Sequence, residues 1–173
     1  MRWALLVLVL VALGGCGSSS PPEAEPVLSK DALPGLEATT EPVTGEDLVA
    51  DFGTNVAVDG FVSGTERVFQ GESHDLDRVV SRTLEFESPE AAGAYVELLR
   101  THVADLYGVG TTAEPLVEAG RTGYVIDPAA CACHRAAPTI TAAVSQGPLV
   151  TYLELNGDGA TRETLGALLR VAP

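Results

Sequence analysis

Between Leu76 and Glu87 the chain alternates: Val80, Leu84 and Phe86 fall on one side of an extended strand, and Ser81, Thr83, Glu85 and Glu87 on the other. The pattern predicts a half-buried strand. Arg82 interrupts the apolar side and predicts that this side ends at a sheet edge. Ser88-Pro89-Glu90 then has the chemistry of a helix start, with a side-chain oxygen at the cap, Pro at the first helical position and an acid in the first turn. Tyr95, Leu98, Leu99, His102, Val103 and Leu106 recur at helical spacing, and Gly108 marks the stop.

The same reading, carried along the chain, gives a series of short elements. Pro34-Gly35 is a turn before a strand over Leu36–Thr40, and Thr44 and Asp47 have capping-box spacing ahead of a short helix ended by Gly53. Strands are expected over Thr65–Gly71, Ala113–Glu118 and Gly123–Ile126. Thr139–Ser145 and Leu149–Asn156 flank Gln146-Gly147-Pro148 as a hairpin, Asn156–Gly159 is a turn, and Thr161–Arg170 closes the chain as a helix with Leu165, Leu168 and Leu169 inward. Thr83–Glu87 leading to Leu98-Leu99-Arg100 echoes Tyr152–Asn156 leading to Leu168-Leu169-Arg170, offset by 69 residues at the strand and 70 at the helix. The expected fold class is therefore α+β: a mainly antiparallel sheet with two principal helices packed on one face, built on two repeated strand–helix units.

The N-terminus follows a different pattern. After Met1-Arg2, Trp3 to Leu13 is an unbroken apolar run of 11 residues, short of the roughly 20 that cross a bilayer as a helix. A basic start, an apolar stretch and small residues describe an export signal. Leu13-Gly14-Gly15-Cys16 resembles the lipobox of bacterial lipoproteins. In that family the Cys receives a diacylglyceryl group and the signal is cut just before it, so the resemblance implies Cys16 as the lipidated mature N-terminus. Gly17 to Pro26 (GSSSPPEAEP) lacks any apolar period and reads as a solvated spacer. The expected organisation is a cleaved signal over 1–15, a lipidated tether over 16–27 and one globular domain over 28–173. The domain loosely resembles uncharacterised lipoproteins of high-GC Gram-positive bacteria, a likeness that brings no activity with it.

Composition narrows the function. The 173 residues carry 10 Lys+Arg against 24 Asp+Glu, for a formal net charge of −14. That charge repels a phosphate backbone and excludes nucleic acid as a partner. An acidic domain gains nothing from an anionic lipid surface, so an anchor must hold it there. The expected location is the outer side of the cell membrane.

One segment asks for chemistry. In Pro128 to Pro138 (PAACACHRAAP), Cys131 and Cys133 are the thiols left once Cys16 is acylated, and outside the membrane two such thiols are expected to oxidise to a disulfide. Alternatively, two thiolates beside His134 are soft ligands for Cu or Zn, although three ligands in four residues do not readily face one ion. Thiol–disulfide exchange and plain thiols complete the possibilities. His102 reads as a core or boundary histidine, and His74, Asp75 and Asp77 as surface residues paired with Arg78 and Arg82. A paired-carboxylate site built on Glu85 with Glu87 or Glu154 is set aside, and the aromatics sit at core positions, leaving little for glycan stacking. No nucleophile-elbow, zinc-protease or phosphate-loop motif is present. The expected role is non-enzymatic: an envelope lipoprotein that binds a small molecule or an envelope protein partner without a cofactor. The alternative is a redox or Cu/Zn-handling lipoprotein using Cys131, Cys133 and His134.

Overall fold

The computed structural model describes residues 27–53, 56–73, 75–108, 110–127 and 138–173. Seven strands, β1 (Glu37–Val43), β2 (Phe61–Ser73), β3 (Leu76–Phe86), β4 (Ala113–Glu118), β5 (Arg121–Ile126), β6 (Thr139–Gln146) and β7 (Leu149–Asn156), form one sheet in the order β1-β2-β3-β7-β6-β5-β4. Every neighbouring pair is antiparallel. The helices are α1 (Gly45–Phe52), α2 (Pro89–Thr101), α3 (Val103–Tyr107) and α4 (Arg162–Val171). Among the described residues, no helix is long and apolar enough to cross a membrane.

Local chemistry sets the element ends. Thr44 and Asp47 form the reciprocal capping box of α1, and the Ser88 and Thr161 hydroxyls accept backbone N–H bonds at the starts of α2 and α4. The helix after Ser88 is expected to run unbroken to Gly108, but it breaks at His102, whose Nδ1 lies 3.0 Å from the Leu98 carbonyl. β4 and β5 are joined by Ala119-Gly120, both at positive φ (52° and 78°), the pair of left-handed residues a two-residue hairpin turn needs. The edge strands carry Pro42 in β1 and Pro115 in β4, together with glutamates. Both features discourage pairing with another chain.

The expected fold class is overturned. Among the described residues the molecule is sheet-dominated, with 44% strand against 30% helix and four α-helices. Its two longest helices lie on opposite faces. Ala92, Tyr95, Val96 and Leu99 of α2 pack with Leu84, Phe86, Ala143 and Val150, whereas Leu165, Leu168 and Leu169 of α4 pack with Val79, Ile140, Leu153 and Leu155. The strand echo does not place equivalent residues alike. In the β3–β7 register Leu84 sits across from Val150 and Ser81 across from Leu153, so Leu84 and Leu153 point to opposite faces.

This arrangement also corrects the reading of β3. The strand is not half-buried: Ser81 and Thr83 are buried as well, because α4 and the segment beginning at Val27 cover the second face. Leu28 is fully buried there, its N–H donating to Ser81 Oγ at 3.2 Å and its carbonyl accepting from buried Arg67 at 2.7 Å. Arg82 does not mark an edge. It lies in an inner strand, between Glu66 of β2 and Tyr152 of β7.

Candidate functional site

Three inner strands bring a polar patch to the sheet face that carries α2. Glu66, Arg82 and Tyr152 are direct cross-strand partners, and Val80 with Glu154, then Arg78 with Asn156, follow as the next two rows. Side chains spaced two apart on a strand share a face, so Arg78, Val80 and Arg82 point the same way. Helices wall the patch in: Asp51 comes from α1, Tyr95 and Leu99 from α2, and Leu106 and Tyr107 from α3. The result is a cleft of about 290 Å³.

Arg82 is its hub. Nε donates to Glu66 Oε2, Nη1 donates to Asp51 Oδ2 at 2.5 Å, and the guanidinium carbon lies 5.6 Å from the Tyr152 ring centre. Burial alone would lower the guanidinium pKa, but Asp51 and Glu66 more than reverse this and hold it above its ordinary value. A second network runs beside it. Arg78 Nη1 donates to Glu154 Oε1 at 3.2 Å, and Asn156 donates to the same oxygen at 3.1 Å. The Tyr152 hydroxyl gives its one proton to Glu154 Oε2 at 3.0 Å, so the Tyr107 hydroxyl, 2.8 Å away, is the donor to Tyr152. Burial first, then Tyr107 and Glu154, push the Tyr152 phenol well above its ordinary pKa, and burial with Asp51 raises that of Tyr95.

The site residues expected from the sequence are not the ones gathered here. Cys16, Cys131, Cys133, His134 and His74 lie outside the described residues. His102 is half-buried at the α2 end, its ring edge-on to Phe52. Asp75 supports the Asn156–Gly159 turn through its backbone carbonyl, which accepts from Gly159 N at 2.6 Å. Glu85 is exposed, accepts from Ser63 Oγ at 3.1 Å, and lies on the face opposite Glu154. Among the described residues, no group of three or more His, Cys, Asp or Glu side chains is placed to hold a metal ion.

Asp51, Glu66, Arg78, Tyr107 and Tyr152 went unread in the sequence as a site, and Glu154 entered only as a carboxylate partner of Glu85. One signal was available. Arg82 puts a charge on the strand face it shares with Val80, Leu84 and Phe86. A charge on an otherwise apolar strand face points to a polar partner facing it, whereas Glu154, alternating with Leu153 and Leu155, reads as an outward residue.

The fold and this cleft define a sheet-dominated antiparallel domain with a charged crevice between its centre and three of its helices. No protein-family profile matches the chain, and no curated protein matches it. Among solved structures it is similar to the extracellular domain of PknH from Mycobacterium tuberculosis, at 9% sequence identity over 78% of this chain and 80% of that chain, with a TM-score of 0.48. That likeness assigns neither a family nor a function.

Proposed function

We propose that the protein is a lipid-anchored, extracytoplasmic, non-enzymatic binding domain of the cell envelope, and that the Arg82 cleft takes its ligand, a small polar molecule. The lipobox-like Leu13–Cys16 and the spacer after it support the anchor and the location. The cleft itself supports the binding role. Charges at the centre of a sheet are costly to desolvate, and apolar residues of similar volume would commonly stabilise the fold as well or better. Arg82, Glu66, Asp51, Arg78 and Glu154 nonetheless converge on one open crevice. Local rules tend to be broken in this way where function requires it. The charged groups are paired with one another rather than left as a nucleophile beside a base, which favours binding over catalysis.

Native mass spectrometry of the full chain expressed in its host and extracted from membranes tests this reading. The expected species begins at Cys16, carries a diacylglyceryl group and retains or captures a small molecule from an envelope extract, and Glu154→Gln loses that molecule. A polypeptide beginning at Met1, or a mature protein that takes up no small molecule, would overturn the proposal.

A further inference from the structure

We infer that the ligand is a neutral, hydroxyl-rich molecule, a polyol or small saccharide, held by the hydrogen-bonding capacity that the cleft's internal pairing leaves over; this rests on reading the cleft as the ligand site. Three carboxylates (Asp51, Glu66, Glu154) and two guanidiniums (Arg78, Arg82) line it, a formal charge of −1. An anion would meet that excess as well as the field of a chain carrying −14. A cation would have to compete with Arg82, which already bridges two of the carboxylates and covers the Tyr152 ring. Neither charged class gains much. A neutral ligand pays neither cost.

The unused groups favour hydroxyls in particular. Among the described residues Arg82 Nη2 has no bond, and Arg78 is 41% exposed with only Nη1 engaged, so both offer donors. Among the described residues Asp51 and Glu66 each bond Arg82 through one oxygen and keep the other, so both offer acceptors. Tyr95 lines the cleft, its hydroxyl has Asp51, Arg82 and Tyr107 as electrostatic neighbours and no hydrogen-bond partner among the described residues, and it can do either. Donors and acceptors thus line the same small space. A hydroxyl is one donor and two acceptor lone pairs, so neighbouring hydroxyls on one carbon frame can meet both kinds. The paired charges hold these groups in place before binding, which lowers the ordering cost. Val80, Leu99 and Leu106 provide apolar wall for C–H surface.

The same geometry limits size and mode. At about 290 Å³ the cleft stands at the small end of ligand cavities. The ring of Tyr152 lies under Arg82, and that of Tyr95 packs on Phe86 and Phe52 at 5.2 and 6.0 Å, so the ligand is gripped by its hydroxyls rather than stacked on an aromatic face.

Thermal denaturation of the full chain in detergent tests this, with myo-inositol and trehalose as neutral probes, putrescine as the cation and succinate as the anion. Tyr95→Phe serves as the cleft variant, because it removes an unpartnered hydroxyl and keeps the ring packing. Sugars also stabilise proteins without binding, so the signal is a saturable rise in Tm that the variant weakens. The expected result is saturation by a neutral probe at millimolar concentration, with an apparent Kd raised on the order of tenfold in Tyr95→Phe. Saturation by putrescine or succinate alone, weakened in the variant, would overturn the hydroxyl assignment and leave the cleft as a binding site. No saturable, variant-sensitive probe of any class would overturn both.

Discussion

At the scale of single residues, Arg82 holds one carboxylate from a neighbouring strand and another from a helix. Replacing it with Met would leave Asp51 and Glu66 facing each other without a counter-charge. The expected loss is about 2 kcal/mol, between an exposed pair and a buried one, because Arg82 keeps 20% and Asp51 35% of its side-chain surface in water. Urea denaturation of Arg82→Met against wild type measures it, and a loss under about 1 kcal/mol would place the pair with ordinary surface bridges. The tyrosines add a pH signature. Tyr95 and Tyr152 have folded-state pKa values raised above the ordinary 10.0, chiefly by burial. The folded state therefore binds more protons than the unfolded state at alkaline pH, and stability is fully present below pH 10 and falls as pH rises beyond it. Tyr95→Phe should flatten this alkaline limb in denaturation curves taken between pH 8 and pH 11. Arg82 also shows why the residue scale was only partly legible. Alternation along one strand shows that a charge points inward, but it does not show whether the strand is an edge. That depends on β7, which lies more than sixty residues further along the chain.

At the scale of elements the sequence was most legible where the chemistry is local. The Thr44–Asp47 box, the Ser88-Pro89 start and the 139–156 hairpin all appear where short-range hydrogen bonding and turn geometry place them. The break at His102 and the opposite siding of α2 and α4 are tertiary outcomes. Both helices carry an apolar stripe, and a stripe does not record which face of the sheet it will meet. Two predictions belong here. Ala119 is the non-glycine residue at positive φ among those described, at 52° in a turn that favours Asn or Gly. Ala119→Asn should stabilise the domain by about 0.5 kcal/mol, read as a raised urea midpoint with unchanged slope. Gly123 has the opposite sensitivity. A Cβ there would lie 2.0 Å from the Ala143 carbonyl oxygen and 2.7 Å from the Val144 Cα, so Gly123→Ala must push β5 off β6. A cost of about 3 kcal/mol is expected, with amide exchange accelerated first along β4 and β5.

At the scale of the whole molecule the governing fact is where the positive charge has gone. Arg78, Arg82, Arg100, Arg162 and Arg170 are each bridged to an acid, and Arg121 is buried on the Leu169 and Ala172 carbonyls. Arg67 is buried as well, on Thr40 and the Leu28 carbonyl. Glu37, Glu41, Glu46, Asp59 and Glu90 meanwhile face solvent. Loss of residues 1–15 would remove Arg2 and no acid, leaving a net charge of −15. A membrane-associated protein usually has a second contribution from basic residues, each worth about 1 kcal/mol near an anionic surface. Here the described surface would add repulsion instead, so under the proposed anchoring membrane attachment depends on the acyl chains alone. Cys16→Ser should therefore abolish lipid labelling and move the protein fully into the soluble fraction. It should stay there with anionic vesicles even at low salt, where an electrostatic contribution would be largest. Co-sedimentation of the Cys16→Ser protein with such vesicles as salt is lowered would show a second, charge-driven attachment and end the single-anchor account.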